Sequence, residues 1–255
     1  MKKIKGIIIA LAAGMLVSAS CTKVATELRY NNATMGNVVN GRFTSDQGNL
    51  FNVVEQNCSG KLDTMQRAFV ICDVIKATEG ATSEYDVRLN YMTPVLTKDP
   101  ISSSETLDPS AQKEDPLLLS DLWISGGYVN LYITVPIARK DNKIHTMNFI
   151  LDETEEEKGT YTFIIRHDAA GEVLSETSDN SNLVLAGAYA SFPVSSIIKE
   201  DSAKIKIKWK SYVVVGQNAV SAKTTDYTVE RQYKKGAFEH VPQTAIASMS
   251  MMEIR

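Results

Sequence analysis

Seven consecutive residues, Lys204 to Lys210, alternate without a break: Ile205, Ile207 and Trp209 take one side, and Lys204, Lys206, Lys208 and Lys210 take the other. Successive side chains of an extended chain point to opposite faces, so this spacing describes a strand with one face in a core and one in water. The same period of two places Tyr85, Val87, Leu89 and Tyr91 against Asp86, Arg88 and Asn90. It constrains the chain to sheet.

From Val38 onward, strand-like runs follow one another between turn residues. VVNGRFTS, LFNVVEQ, MQRAFVICDVIKA and EYDVRLNYM read as four strands of a small antiparallel barrel over residues 37–98. Four of the seven prolines then fall between Pro94 and Pro116, together with SSSETLDPSAQKED, which is too polar and interrupted for a central strand or helix. Residues 99–118 are therefore expected to be a linker. Beyond it, DLWISGGYVNLYITVPIA, KIHTMNFILD, TYTFIIRH, NLVLAGAYASF, AKIKIKWKSYVVV and TTDYTVERQY give six strand candidates, the count and spacing of an antiparallel β-sandwich over residues 119–255. Helical candidates are confined to short stretches such as Ser195 to Glu200. The fold class is mainly β, a small barrel followed by a sandwich.

The N-terminus supplies an address. Lys2, Lys3 and Lys5 precede an apolar run from Ile7 to Val17, and small residues then lead to Cys21. This three-part layout is that of a secretory signal peptide over residues 1–21, and the run falls short of the ~20 residues that cross a bilayer. Ser18-Ala19-Ser20-Cys21 resembles a bacterial lipobox, with Ser18 where a large aliphatic residue is common; the resemblance implies lipidation of Cys21. Thr22 stands where an inner-membrane retention aspartate would, so the expected location is the outer membrane. Glu27 is the one acid among the next six residues, which favours the periplasmic face over the cell surface. Residues 22–36 read as a tether. Cys58 and Cys72 remain, an even number in an oxidising compartment, which makes one disulfide or two buried thiols the alternatives.

Taken in order, NGRFTSDQGNLFNVV, VLTKDPI, DLWISGGYVNLYI, IIRHDAAGE and ASFPVSSI resemble the corresponding segments of the NigD-like lipoproteins of Gram-negative gut and oral bacteria. That resemblance spans most of the chain after Cys21. It implies an OB-type barrel followed by a C-terminal β-sandwich, and no established activity. The fifth strand of an OB barrel has no candidate except Tyr91 to Lys98, so the barrel reads as short or partial.

Chemistry has few hands. The sequence contains no G-x-S-x-G, H-E-x-x-H, C-x-x-C, Walker or dinucleotide glycine motif. With three histidines and three cysteines, no metal site or cofactor is expected and no catalytic residue is assigned. His167 and Asp168 are adjacent on a strand and point to opposite faces, which makes them an awkward dyad. Convergence of His145 and His167 with a carboxylate is what a hydrolase would require. The acidic run Asp152 to Glu157 lacks the glycine and spaced oxygens of a calcium loop and reads as a solvated turn. The lysines of Lys204–Lys210 read as guards of a sheet edge. Gly126-Gly127 marks a bulge or a close backbone approach, flanked by Trp123 and Tyr128, which are either a sugar-stacking pair or core. Asp63-Thr64-Met65 and Asp201-Ser202-Ala203 resemble an O-glycosylation pattern of these bacteria, and Met249, Met251 and Met252 offer a tail contact or a last strand.

A net charge of −3, or −6 once the leader lysines are removed, is no footprint for nucleic acid. The expected function is therefore a non-enzymatic binding or interaction module of the cell envelope, membrane-held by its lipid and facing a protein or glycan partner. A bacteriocin or toxin immunity role and an envelope glycan hydrolase are the alternatives.

Overall fold

The computed structural model describes residues 33–104, 109–154, 157–215 and 219–247. The leader, Cys21 and the tail methionines lie outside them. Five strands close the first body: β1 (Ala33–Val39), β2 (Arg42–Ser45), β3 (Leu50–Gln56), β4 (Arg67–Ala77) and β5 (Glu84–Pro94). Their order is β1-β2-β3-β5-β4, with β4 returning to β1, so the barrel is complete. The strand missing from the sequence reading comes from splitting VVNGRFTS, and β1 begins at Ala33, so the last residues of the stretch read as a 22–36 tether are barrel strand. Asn40 and Gly41 take φ of 51° and 74° between paired Val39 and Arg42, so the run is a hairpin of two strands. Asn-Gly tolerates the left-handed conformation such a turn demands.

The chain leaves the barrel as β6 (Leu96–Thr97) and β7 (Ile101–Ser102), which join opposite sheets of the second body. Then follow β8 (Leu118–Ser125), β9 (Tyr128–Ala138), β10 (Thr146–Leu151), β11 (Thr160–Asp168), β12 (Leu183–Pro193), β13 (Ser202–Val215), β14 (Ala219–Lys234) and the short helix α1 (Gln243–Ala247). One sheet runs β14-β13-β11-β10-β7 and the other β6-β12-β9-β8. Most pairings are antiparallel, while β11–β13, β10–β7 and β12–β6 run parallel. The stretch read as a linker is more than a connection, since it contains β7 and buries Leu117 in the sandwich core.

Alternation sets what fills that core. Ile205 and Ile207 of β13 share that core with Phe163, Phe149 and Phe192, whose rings stack from Phe149 at 4.5 and 4.7 Å. Each such aromatic pair contributes about 1 kcal/mol beyond its buried area. A second cluster seals barrel to sandwich: Met35, Phe69 and Ile71 from the barrel meet Trp123, Tyr132 and Tyr189 from the sandwich, with Ala245 and Ile246 of α1 beneath.

Two local readings are corrected. Gly126-Gly127 is the two-residue turn of the β8–β9 hairpin, with φ of 59° and 82°, so the long WISGGYVNLYI run is two strands and not one bulged strand. The close approach is real, because a Cβ on Gly126 would sit 2.6 Å from Asp46 Oδ1. Strand β13 lies between β11 and β14, so its lysines guard no edge. They line the outer face of the sheet, where Lys204, Lys208 and Lys210 pair with Glu157, Asp152 and Glu114.

Candidate functional site

Two buried polar constellations organise the molecule. The first begins with Arg67 at the start of β4, which the barrel–sandwich junction encloses completely. All five of its N–H donors are used: Nε on Ser191 Oγ at 2.9 Å, Nη1 on Asn37 Oδ1 at 3.1 Å and Asp46 Oδ1 at 2.7 Å, Nη2 on Asp46 Oδ2 at 2.6 Å and Asn130 Oδ1 at 3.0 Å. The Tyr128 ring lies under the guanidinium, 4.0 Å away. Asp46 also accepts the Ser125 hydroxyl at 2.5 Å, and Ser191 and Asn130 bond each other at 2.6 Å. Asn37, Asp46 and Arg67 belong to the barrel and the rest to the sandwich. A planar five-donor fork matched this completely fixes one docking geometry.

Tyr128 therefore sits on a protein cation. Trp123 is buried in the junction cluster, and its indole N–H has no partner among the described residues. Of the two alternatives for this pair, Trp123 is core, while half-buried Tyr128 gives one ring face to the guanidinium.

The second constellation brings His145 and His167 together. His145 precedes β10, His167 is the penultimate residue of β11, and Glu172 follows the tight turn in which Ala170 and Gly171 take positive φ. His145 Nδ1 lies 3.0 Å from His167 Nε2, and His145 Nε2 lies 3.0 Å from Glu172 Oε2. His167 Nδ1 faces the Asp115 carbonyl at 3.3 Å. A carbonyl can only accept, so His167 donates through Nδ1 and accepts through Nε2. His145 must then donate through Nδ1, leaving one proton shared between its Nε2 and Glu172. Burial, then the neighbouring His145, pushes His167 down to about 4. Exposures of 0, 1 and 5% for His145, His167 and Glu172 leave no approach for a substrate. Asp168 points away and accepts the Ala170 N–H, as the alternation of the strand required.

This cluster clasps three segments. Asp115 accepts Ala169 N–H on its carboxylate, and Lys143 N–H reaches the other oxygen of Glu172. Nothing in local spacing marked Glu172 or Arg67, whose partners are 21 to 124 residues away.

Cys58 and Cys72 are free thiols, so the bridge considered from the sequence is absent here. Both line the barrel core, where Cys58 Sγ rests 3.9 Å from the Leu89 carbonyl. Burial, aided by Asp73, pushes the Cys72 thiol up to about 12. No group of three or more His, Cys, Asp or Glu among the described residues is placed to hold a metal. Asp152 and Glu153 of the acidic run are engaged by Thr154 and Ser102 beside an open cleft of about 540 Å³, while Glu155 and Glu156 lie outside the described residues.

Residues 100–221 match the family model of the NigD-like C-terminal β-sandwich domain. The sandwich belongs to that family. No curated protein matches the chain. Among solved structures, a protein of unknown function from Bacteroides vulgatus is 17% identical with a TM-score of 0.55, over 85% of this chain and 97% of that one. A NigD-like immunity protein from Bacteroides caccae is 19% identical with a TM-score of 0.51, over 76% and 93%. A protein from Bacteroides fragilis described as a lipoprotein is 11% identical with a TM-score of 0.54, over 80% and 99%. At these identities the likeness is one of fold. The NigD-like sandwich and its barrel include no helix, among the described residues, long and apolar enough to cross a membrane.

The barrel carries exposed aliphatic residues beside two bulges. Val53, Val87 and Val74 lie side by side across β3, β5 and β4, and the registers shift at Val54 and Ile75. These two unpaired bulge residues are 54% and 43% exposed, and Val74 is 56% exposed.

Proposed function

We propose that the chain is a non-enzymatic cell-envelope lipoprotein, anchored through Cys21 in the outer membrane on its periplasmic side, that binds a protein partner in an immunity-type role. One observation carries this reading: the two constellations with chemical potential are enclosed and committed to holding the body together, while Val54, Val74 and Ile75 face solvent. Aliphatic side chains held at solvent on the two strands that flank β5 give such a partner apolar surface to bury. The shared fold with a NigD-like immunity protein supports the immunity sense, and the lipobox with the fold of the B. fragilis protein supports the anchor.

The test is crosslinking of the lipidated protein in living cells, denaturing purification and mass spectrometry of what is attached. One dominant protein, lost from Val54→Asp/Ile75→Asp and released with the soluble fraction in Cys21→Ala, is the expected result. Only bulk envelope neighbours at background level would defeat it.

His145, His167 and Glu172 do meet as the glycan hydrolase alternative requires, but they meet enclosed, with no opening to a polysaccharide, so the binding reading is preferred.

A further inference from the structure

Strand β14 ends the five-stranded sheet, and no strand among the described residues pairs with its outer side. Natural sheets protect such edges with proline, bulges, brevity or charged side chains, lysine above all. Here the edge is long and regular: the ladder with β13 shifts register only near its turn, at Tyr212/Val213, and Thr224 to Lys234 contains neither proline nor glycine. The lysine stripe lies one strand inward, and the charges of this stretch of β14 itself, Asp226, Glu230, Arg231 and Lys234, are of both signs rather than a uniformly repelling row.

The direction of the free groups follows from one bond. Lys235 N–H donates to the Asp201 carbonyl at 2.9 Å, continuing the ladder of β13 and β14. In an antiparallel pair the bonded positions alternate, so Tyr233, Arg231, Val229 and Tyr227 bond inward. Thr224, Asp226, Thr228, Glu230, Gln232 and Lys234 therefore aim N–H and C=O outward.

We infer that β14 is a homodimer interface, in which a second copy of the chain adds its own β14 antiparallel across a two-fold axis at Val229. The sequence is self-complementary about that residue. Thr228 meets Glu230, Asp226 meets Gln232 and Thr224 meets Lys234 at the bonded positions. At the closer, non-bonded positions Tyr227 meets Arg231, a cation over a ring, and Val229 meets itself. The adjacent registers are disfavoured: an axis at residue 228 sets Asp226 against Glu230 twice, and an axis at 230 sets Glu230 against itself. The two five-stranded sheets become one continuous sheet.

The experiment uses the full lipidated chain purified in detergent, with protein mass from light scattering, alongside non-reducing gels of cells. The parent protein is expected at twice its chain mass. Thr228→Pro removes an N–H that the fold itself does not use, a position where edge strands accept proline, and is expected to halve that mass while far-UV dichroism and melting stay unchanged. Val229→Cys, placed against itself, is expected to form a disulfide-linked dimer in cells, whereas Thr225→Cys, placed against Tyr233, is not. A monomeric parent, a Thr228→Pro protein that stays dimeric, equal crosslinking of the two cysteine variants, or Val229→Cys linked to a different protein would each overturn the inference.

Discussion

Arg67 and Asp46 meet as a two-pronged ion pair at 2.7 and 2.6 Å, with side chains 0% and 2% exposed, across the line where the barrel docks on the sandwich. Removing one member leaves the other charge buried and unpaired, which costs about 3–5 kcal/mol. Arg67→Ala and Asp46→Ala are each expected to lower the unfolding free energy in urea by that order. Arg67→Lys should rescue little, because an ammonium replaces a five-donor fork with a point charge. Joint replacement, Arg67→Met with Asp46→Leu, should cost less than either alanine variant. Additive losses in the double variant would show that the two residues do not act as a unit.

Gly126 is bound to the same junction by geometry. Its φ is 59° and a Cβ would lie 2.6 Å from Asp46 Oδ1, so Gly126→Ala combines backbone strain with displacement of the carboxylate. A loss of roughly 1–3 kcal/mol is expected. In an Asp46→Ala background the steric part disappears, so a double-variant cycle should find the two changes coupled. Independence would place the whole cost in the turn.

Much of this architecture was legible because alternation survives in the sequence wherever one face of a sheet is buried, as in Lys204 to Lys210. What failed were turns of two residues. Asn40-Gly41 and Gly126-Gly127 interrupt no apolar pattern, so each hairpin read as one strand, and the barrel lost its fifth. The position of β13 inside the sheet was equally invisible, since a face pattern carries no information about which strands lie alongside. The polar clusters depend on partners far apart in the chain. Even so, the segments carrying the family resemblance supply Asp46, Ser125, Tyr128, Asn130, Ser191, His167 and Glu172. The histidines were singled out as a pair that a carboxylate would have to join; that it is Glu172, and that the cluster is enclosed, required the folded turn.

The barrel thiols should differ in reactivity. Cys58 is half-buried and raised by burial, whereas Cys72 is 3% exposed and pushed up to about 12. The thiolate is the reacting species, so at pH 8 a maleimide is expected to label Cys58 slowly and Cys72 only after unfolding. Peptide mass mapping reads this directly. Two unlabelled cysteines that become reactive only after reduction would mean that the bridge forms in the cell.

His167 gives the stability a pH signature of definite sign. The folded protein holds it at about 4, below the ordinary value of 6.5, because burial and then His145 disfavour the cation. Above pH 6.5 neither folded nor unfolded chain binds this proton, and the residue contributes no slope. Between 6.5 and 4 the unfolded chain takes a proton that the folded one refuses, so stability falls as pH falls, by up to about 3 kcal/mol at pH 4. Below that both states are protonated and the slope from this group vanishes. His167→Gln retains an acceptor for His145 but cannot titrate. Urea unfolding from pH 8 to 4 is expected to show a shallower decline for this variant than for the parent, whatever their absolute stabilities, with the difference confined to that window. Equal declines would mean that acid destabilisation comes from the carboxylates and that the histidine chain opens before it is protonated.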